Sequence, residues 1–157
     1  MEEQEKFMRE AIRISIENVK SGNGGPFGAV IVKDGEVIGR GINEVTSTND
    51  PTAHAEIVAI RDACQRLNSF QLEGCEIYCS CEPCPMCLSA IYWARPAKIY
   101  YANTKQDAAG INFDDKFIYT EIDLPIEQRL LPTIQLLRDE ALVAFNHWQE
   151  SASKIEY

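Results

Sequence analysis

The stretch Glu76–Ala102, EIYCSCEPCPMCLSAIYWARPAKIYYA, decides how this chain folds. Glu76–Ser80 (EIYCS) is short and β-prone, Pro83 opens a helix through CPMCLSAIYWA that ends near Pro96, and Lys98–Ala102 (KIYYA) is again strand-like. Strand, helix and strand in that order make a right-handed βαβ crossover, so part of the sheet is parallel and helices lie on its faces.

Upstream, Phe27–Val32 (FGAVIV) and Glu36–Asn43 (EVIGRGIN) flank Asp34-Gly35, a strong hairpin signal, and predict two antiparallel strands. Met8, Ala11, Ile12, Ser15 and Val19 recur at helical spacing, which predicts an amphipathic helix over the first twenty residues, stopped by Gly22, Gly24 and Gly25. Asp50 and Pro51 read as the N-cap and first residue of a second helix with the stripe Ile57, Ile60, Cys64 and Leu67. Residues 131–137 read as a last strand and 138–150 as a last helix, with an earlier helix start left open. The sum is an α/β chain with a mixed sheet. No repeat and no Pro- or Ser-rich linker divides its 157 residues, so a single domain over 1–157 is expected.

Fifteen Lys and Arg against 24 Asp and Glu give a net charge of −9, the wrong sign for gathering phosphate backbones, so nucleic acid is not the expected partner. The chain has no apolar run of the roughly 18 residues a membrane span needs, and its first residues, MEEQEKFMRE, are charged where a signal peptide is apolar. A soluble, cytoplasmic protein with reduced thiols is expected. A chain of this length folds without disulfides or metal, so a metal would serve function. Of six cysteines, Cys75, Cys79, Cys81, Cys84 and Cys87 crowd together, which favours metal binding over a disulfide scaffold.

The chemistry-bearing constellation is His54-Ala55-Glu56 followed by Pro83-Cys84-Pro85-Met86-Cys87. One imidazole and two thiolates make three zinc ligands and leave a tetrahedral ion one open corner for water. Cys84 and Cys87 stand three apart at a helix start, where the dipole eases thiolate formation. Residues two apart on a helix point about 200° from each other, so His54 and Glu56 are expected to meet over a helix end and not on one mid-helix face. Cys81, three before Cys84, forms an alternative pair, and an all-cysteine structural site using Cys79 or Cys81 is the competing arrangement. Cys64, Cys75 and Cys79 read most simply as small buried hydrophobes.

H-x-E followed by P-C-x-x-C resembles the signature of the zinc-dependent nucleoside and nucleobase deaminases. Within that superfamily nearly the whole chain is similar to the short bacterial guanine deaminases. The matching stretches are Gly24–Asp34 (GGPFGAVIVKD), Asn49–Glu56 (NDPTAHAE), Ser80–Cys87 (SCEPCPMC), Ala90–Pro96 (AIYWARP), Phe113–Asp115 (FDD) and Glu156-Tyr157. The first four are partly shared across the superfamily; the last two carry guanine.

The resemblance implies a three-layer α/β/α cytidine-deaminase-like fold with a mixed five-stranded sheet. It implies one zinc ion per chain on His54, Cys84 and Cys87, with a water or hydroxide as fourth ligand, and Glu56 as proton carrier in converting guanine to xanthine and ammonia. It further implies that Asn43 and the Ala55 backbone hold the base and that Phe27 and Trp93 wall it. Asp115 would be a second proton shuttle, adjacent to Asp114, with which it is easily confused. Tyr157 would be a lid residue on a C-terminal segment (about 130–157) exchanged in a homodimer. Guanosine or cytosine as substrate, structured tRNA, and a non-catalytic zinc-stabilised interaction module are the alternatives; the negative charge argues against tRNA.

Overall fold

Strand β1 (Gly28–Lys33) is the axis of the fold, its first five residues wholly buried, and the elements are arranged around it in a computed structural model that describes residues 2–157. Helix α1 (Glu2–Ser21) precedes it and β2 (Glu36–Ile42) returns antiparallel. The hairpin turn holds φ 50° at Asp34 and 78° at Gly35, the positive pair that a two-residue turn between twisted strands demands. A short helix α2 (Val45–Thr48), helix α3 (Ala55–Leu67), strand β3 (Glu76–Cys81), helix α4 (Pro85–Ala94), strand β4 (Lys98–Asn103) and helix α5 (Lys105–Ala109) follow.

The sheet order is β2-β1-β3-β4, with β1 antiparallel to both β2 and β3 and β4 parallel to β3. The mixed α/β sheet read from the sequence is therefore present, with the β3–α4–β4 crossover forming its parallel side. Alternation along the strands divides the core in two. Ala29, Ile31, Ile77 and Cys79 face α3 and α4 with Ala55, Ala59 and Ile91, whereas Val30, Val32 and Tyr78 face α1 with Phe7, Ala11 and Ile14.

Helix α3 presents Ala55, Ala59 and Ala63 to β2, and the strand answers with glycine. A Cβ at Gly41 would collide with the Ala55 carbonyl oxygen, so Ala against Gly is what lets the helix lie this close. That approach brings the start of α3 down onto the end of β2, where Asn43 follows.

Three expectations change. Among the described residues the sheet has four strands and not five: residues 131–137 form no strand, Leu137 taking the left-handed conformation at φ 52°, and β4 is hydrogen-bonded on its β3 side. Asp50-Pro51 does not start α3. The Asp50 carboxylate accepts the Thr52 N–H at 2.8 Å and its hydroxyl at 2.7 Å, closing a turn, and the helix begins five residues later. On α1 the buried stripe is Phe7, Ala11, Ile14, Ser15 and Asn18, one position round from the predicted one, and Val19 is exposed.

The described chain divides into two units, the first ending at Asp115 and the second Lys116–Tyr157. The second carries α6 (Lys116–Asp123), a 3₁₀ turn at Ile126–Gln128 and α7 (Arg138–Glu150), the last helix at its expected place. Neither α6 nor α7 buries a residue. Among the described residues no helix is long and apolar enough to cross a membrane.

Candidate metal centre

His54 is the N-cap of α3 and Cys84 the N-cap of α4, both with extended backbone, at φ −70°, ψ 155° and φ −66°, ψ 169°. Pro85 then occupies the first position of α4, where its missing N–H costs nothing, and Cys87 the third. Two helix beginnings thus converge, as the sequence argument required. Because His54 sits outside helical geometry, the angular conflict with Glu56 disappears.

The His54 Nδ1 lies 3.5 Å from Cys87 Sγ and 3.6 Å from Cys84 Sγ, and the three donor atoms all fall within 4.8 Å of one another. Tetrahedral zinc, with bonds of about 2.3 Å to sulfur and about 2.05 Å to nitrogen, holds such a pair roughly 3.6 Å apart. The spacing of the side chains therefore fits the ion, and the donors are borderline-soft, as zinc prefers.

The electrostatics fit too. The Cys84 thiol is brought down to about 4, first by the hydrogen bond from Cys87 and then by His54, against its burial. Cys87 is pushed up because it keeps the proton it shares with Cys84 and because it is buried. The paired shifts, Cys84 down and Cys87 up, come first from the hydrogen bond between the two sulfurs, which stand where a divalent cation would be held. The Cys84 hydrogen bond raises His54, opposed by burial.

The competing cysteines are engaged elsewhere. Cys81 donates its thiol to the Thr104 carbonyl at 3.6 Å, and burial first of all raises it to about 11. Cys79 is buried in the core facing α3 and α4, which pushes its thiol well above the usual value. Among the described residues His54, Cys84 and Cys87 are the cluster that can hold a metal.

Glu56, the second residue of α3, is 8% exposed, and burial is the main reason its carboxyl is raised. The Cys84 charge raises it further, while a Cys87 hydrogen bond and His54 oppose the rise. A carboxyl kept near its proton is suited to taking up and giving back protons. Ala55 is the first residue of α3, and its N–H is one that the helix itself cannot use. Asn43, directly after β2, is buried, its Oδ1 accepting the Gly25 and Val45 N–H groups at 3.3 Å each.

Phe27 meets Phe113 edge-on, ring centroids 5.0 Å apart and planes at 89°. Phe113 had no role in the sequence reading, although it opens the FDD stretch; its signal was that match alone. Asp115 is half-buried and its carboxyl is raised, chiefly by burial and next by the Cys84 charge, whereas Asp114 is exposed. Trp93 stands six residues beyond Cys87, roughly 9 Å along α4, and is 62% exposed. Tyr157 closes the second unit and is exposed.

Residues 1–103 match the family model of the cytidine and deoxycytidylate deaminase zinc-binding region. The chain belongs to that deaminase family. Within it, a guanine deaminase of Bacillus subtilis (strain 168) is 55% identical over 153 residues, covering 98% of each chain. The X-ray structure of guanine deaminase from Bacillus subtilis superposes with a TM-score of 0.95 at 55% identity over 98% of both chains. A tRNA-specific adenosine deaminase of Aquifex aeolicus is 42% identical over 107 residues, 68% of this chain and 70% of its own length. The likeness thus covers nearly the whole chain in the first relative and about two thirds of it in the last.

Proposed function

We propose that the protein hydrolyses guanine to xanthine and ammonia, with one zinc ion held by His54, Cys84 and Cys87. The observation that carries this reading is the three-donor cluster beside a buried, proton-retaining Glu56, in a chain that follows a guanine deaminase over 98% of its length. When bound, the zinc supplies the Lewis acidity that makes water nucleophilic at neutral pH.

The chain's own residues do the rest. The Glu56 carboxylate accepts a proton from the attacking water and delivers it to the ring nitrogen beside C2, as the water oxygen bonds to that carbon. A second transfer moves the proton of the new C2 hydroxyl to the exocyclic amine, the C2–N bond breaks as the C2 carbonyl forms, and ammonia leaves. The Asn43 amide and the Ala55 N–H hold the ring, with Phe27 and its neighbour Phe113 as one wall. Asp115 is the candidate for handling the second proton, since it is the more enclosed of the two adjacent carboxylates.

The same reading includes a homodimer in which residues from about 130 to the C-terminus are exchanged and Tyr157 closes the partner's site. Its support is an imbalance: β4 is the last strand in the sheet order, and residues 131–137 form an apolar segment with no ladder of their own. Leu131, Ile134 and Leu136 are each more than three-quarters exposed in the single chain.

The likeness to tRNA adenosine deaminases favours a second reading, hydrolysis of adenosine in structured RNA, which the net charge of −9 opposes. A panel of guanine, guanosine, adenine, cytosine and a tRNA anticodon stem, followed by ammonia release with zinc quantified on the same sample, separates them. Guanine is expected to turn over at one zinc per chain. Inert guanine alongside turnover of another member replaces the substrate, and turnover without metal removes the mechanism.

A further inference from the structure

Asn18 is a buried amide that the deamination chemistry leaves unused. It lies in the last turns of α1, 2% exposed, on the face that packs against the sheet. Its Nδ2 donates two hydrogen bonds, to the Gly25 carbonyl at 2.8 Å and to the Asn43 carbonyl at 2.9 Å. One side chain therefore ties the glycine loop to the end of β2. The two segments are already in contact, since a Cβ at Gly24 would collide with the Asn43 carbonyl oxygen.

The tie reaches the Asn43 side chain. Main-chain N–H groups donate and never accept, so the atom of the Asn43 amide that faces Gly25 N and Val45 N is the oxygen. The amide's NH₂ end is thereby the end turned away from these two groups, as a hydrogen-bond donor. Both bonds to Oδ1 are 3.3 Å, long for N–H···O, and the one from Gly25 holds only while Gly25 keeps its place.

We propose that Asn18 is a positioning residue: by pinning Gly25 and the Asn43 main chain it sets which end of the Asn43 amide meets the substrate. The inference rests on the reading of Asn43 as a substrate-binding residue. Its physical support is a cost that nothing else offsets. The Asn18 Oδ1 is buried with no hydrogen-bond partner among the described residues. An apolar side chain of the same size would avoid that cost, so the amide's usefulness lies in the two bonds from its nitrogen. Without them the glycine loop is free to lift from Oδ1, which leaves the Val45 N–H alone to keep the Asn43 amide from turning over and offering an acceptor where a donor is needed.

A double-mutant cycle on the zinc-loaded protein tests this, using Asn18→Leu, Asn43→Ala and the pair, with KM and kcat for guanine, zinc content and melting temperature for each. Asn43→Ala is expected to raise KM about tenfold or more, the size of a lost hydrogen bond that also leaves a buried acceptor unmet. Asn18→Leu is expected to raise KM about five- to tenfold with one zinc retained and a smaller change in kcat, and the pair to be no worse than Asn43→Ala. An unchanged KM in Asn43→Ala removes the binding role of Asn43, and the inference with it. If Asn43→Ala raises KM but Asn18→Leu does not, or the two effects multiply in the pair, Asn43 keeps its role and the Asn18 proposal is overturned. Asn18→Ser, which loses the amide without loading the core, replaces Asn18→Leu in the cycle if the latter fails to fold.

Discussion

The two units of this chain satisfy their apolar surface to different degrees. In the first, β1 and β3 are almost wholly buried, α1 and α3 each bury one face, and two clusters fill the spaces on either side of the sheet. In the second, α6 and α7 bury nothing, and Leu130, Ile134, Leu136, Leu137 and Phe145 stand open to water. Monomeric proteins seldom leave so much apolar area in one short segment. The contrast separates two behaviours: the first unit completes its own core and gathers the metal donors, while the second leaves its apolar side chains exposed in the single chain.

Substitutions at the chemical centre of the first unit sharpen that contrast most. Glu56→Gln is expected to cut ammonia release by about 10³-fold or more while zinc content and melting temperature stay level, because it removes proton transfer and leaves every metal donor. Retained turnover would dismiss Glu56 as proton carrier. Cys87→Ala, in the same unit, is expected to drop zinc below one per chain along with activity, as read by metal analysis.

Next in size is the second unit. Removing Lys154–Tyr157 is expected to lower turnover about 100-fold with zinc still bound. Mixing the shortened chain with Glu56→Gln chains then asks whose site the tail serves. Exchange places an intact tail over an intact Glu56 in one site of each mixed dimer, so about a quarter of full activity returns. A tail that served its own chain would restore none.

Smaller effects mark the difference in packing. Gly41→Ala pushes α3 off β2 and is expected to cost about 1–3 kcal/mol, a melting-temperature fall of roughly 2–12 °C. Leu136→Lys, fully tolerable in an isolated second unit, is expected to shift the sedimentation profile toward monomer; an unchanged profile would separate residues 131–137 from any dimer contact.

The metal centre was the most legible part of the molecule. His54, Cys84 and Cys87 are chemically rare donors at motif spacing, and the demand that they meet over helix ends was met by two N-caps. The hairpin around Asp34-Gly35 was equally plain, since its turn geometry is local. Helix faces were less so. The stripe on α1 was read one position off because apolar spacing alone chose the face, whereas the polar Asn18 is inside, where it ties two carbonyls. Asp50 was read as a cap because an Asx turn and a helix N-cap use the same residue types.

The amino-acid order by itself determined the four strands through β4, the crossover and the three-donor cluster, because each depends on residue chemistry within a few positions. The tertiary structure alone decided which asparagines lie buried and bonded, that Cys81 is spent on Thr104, that Phe113 stands against Phe27, and that among the described residues the sheet stops at four strands. Those outcomes depend on which distant surfaces come into contact, and no local spacing carries that information.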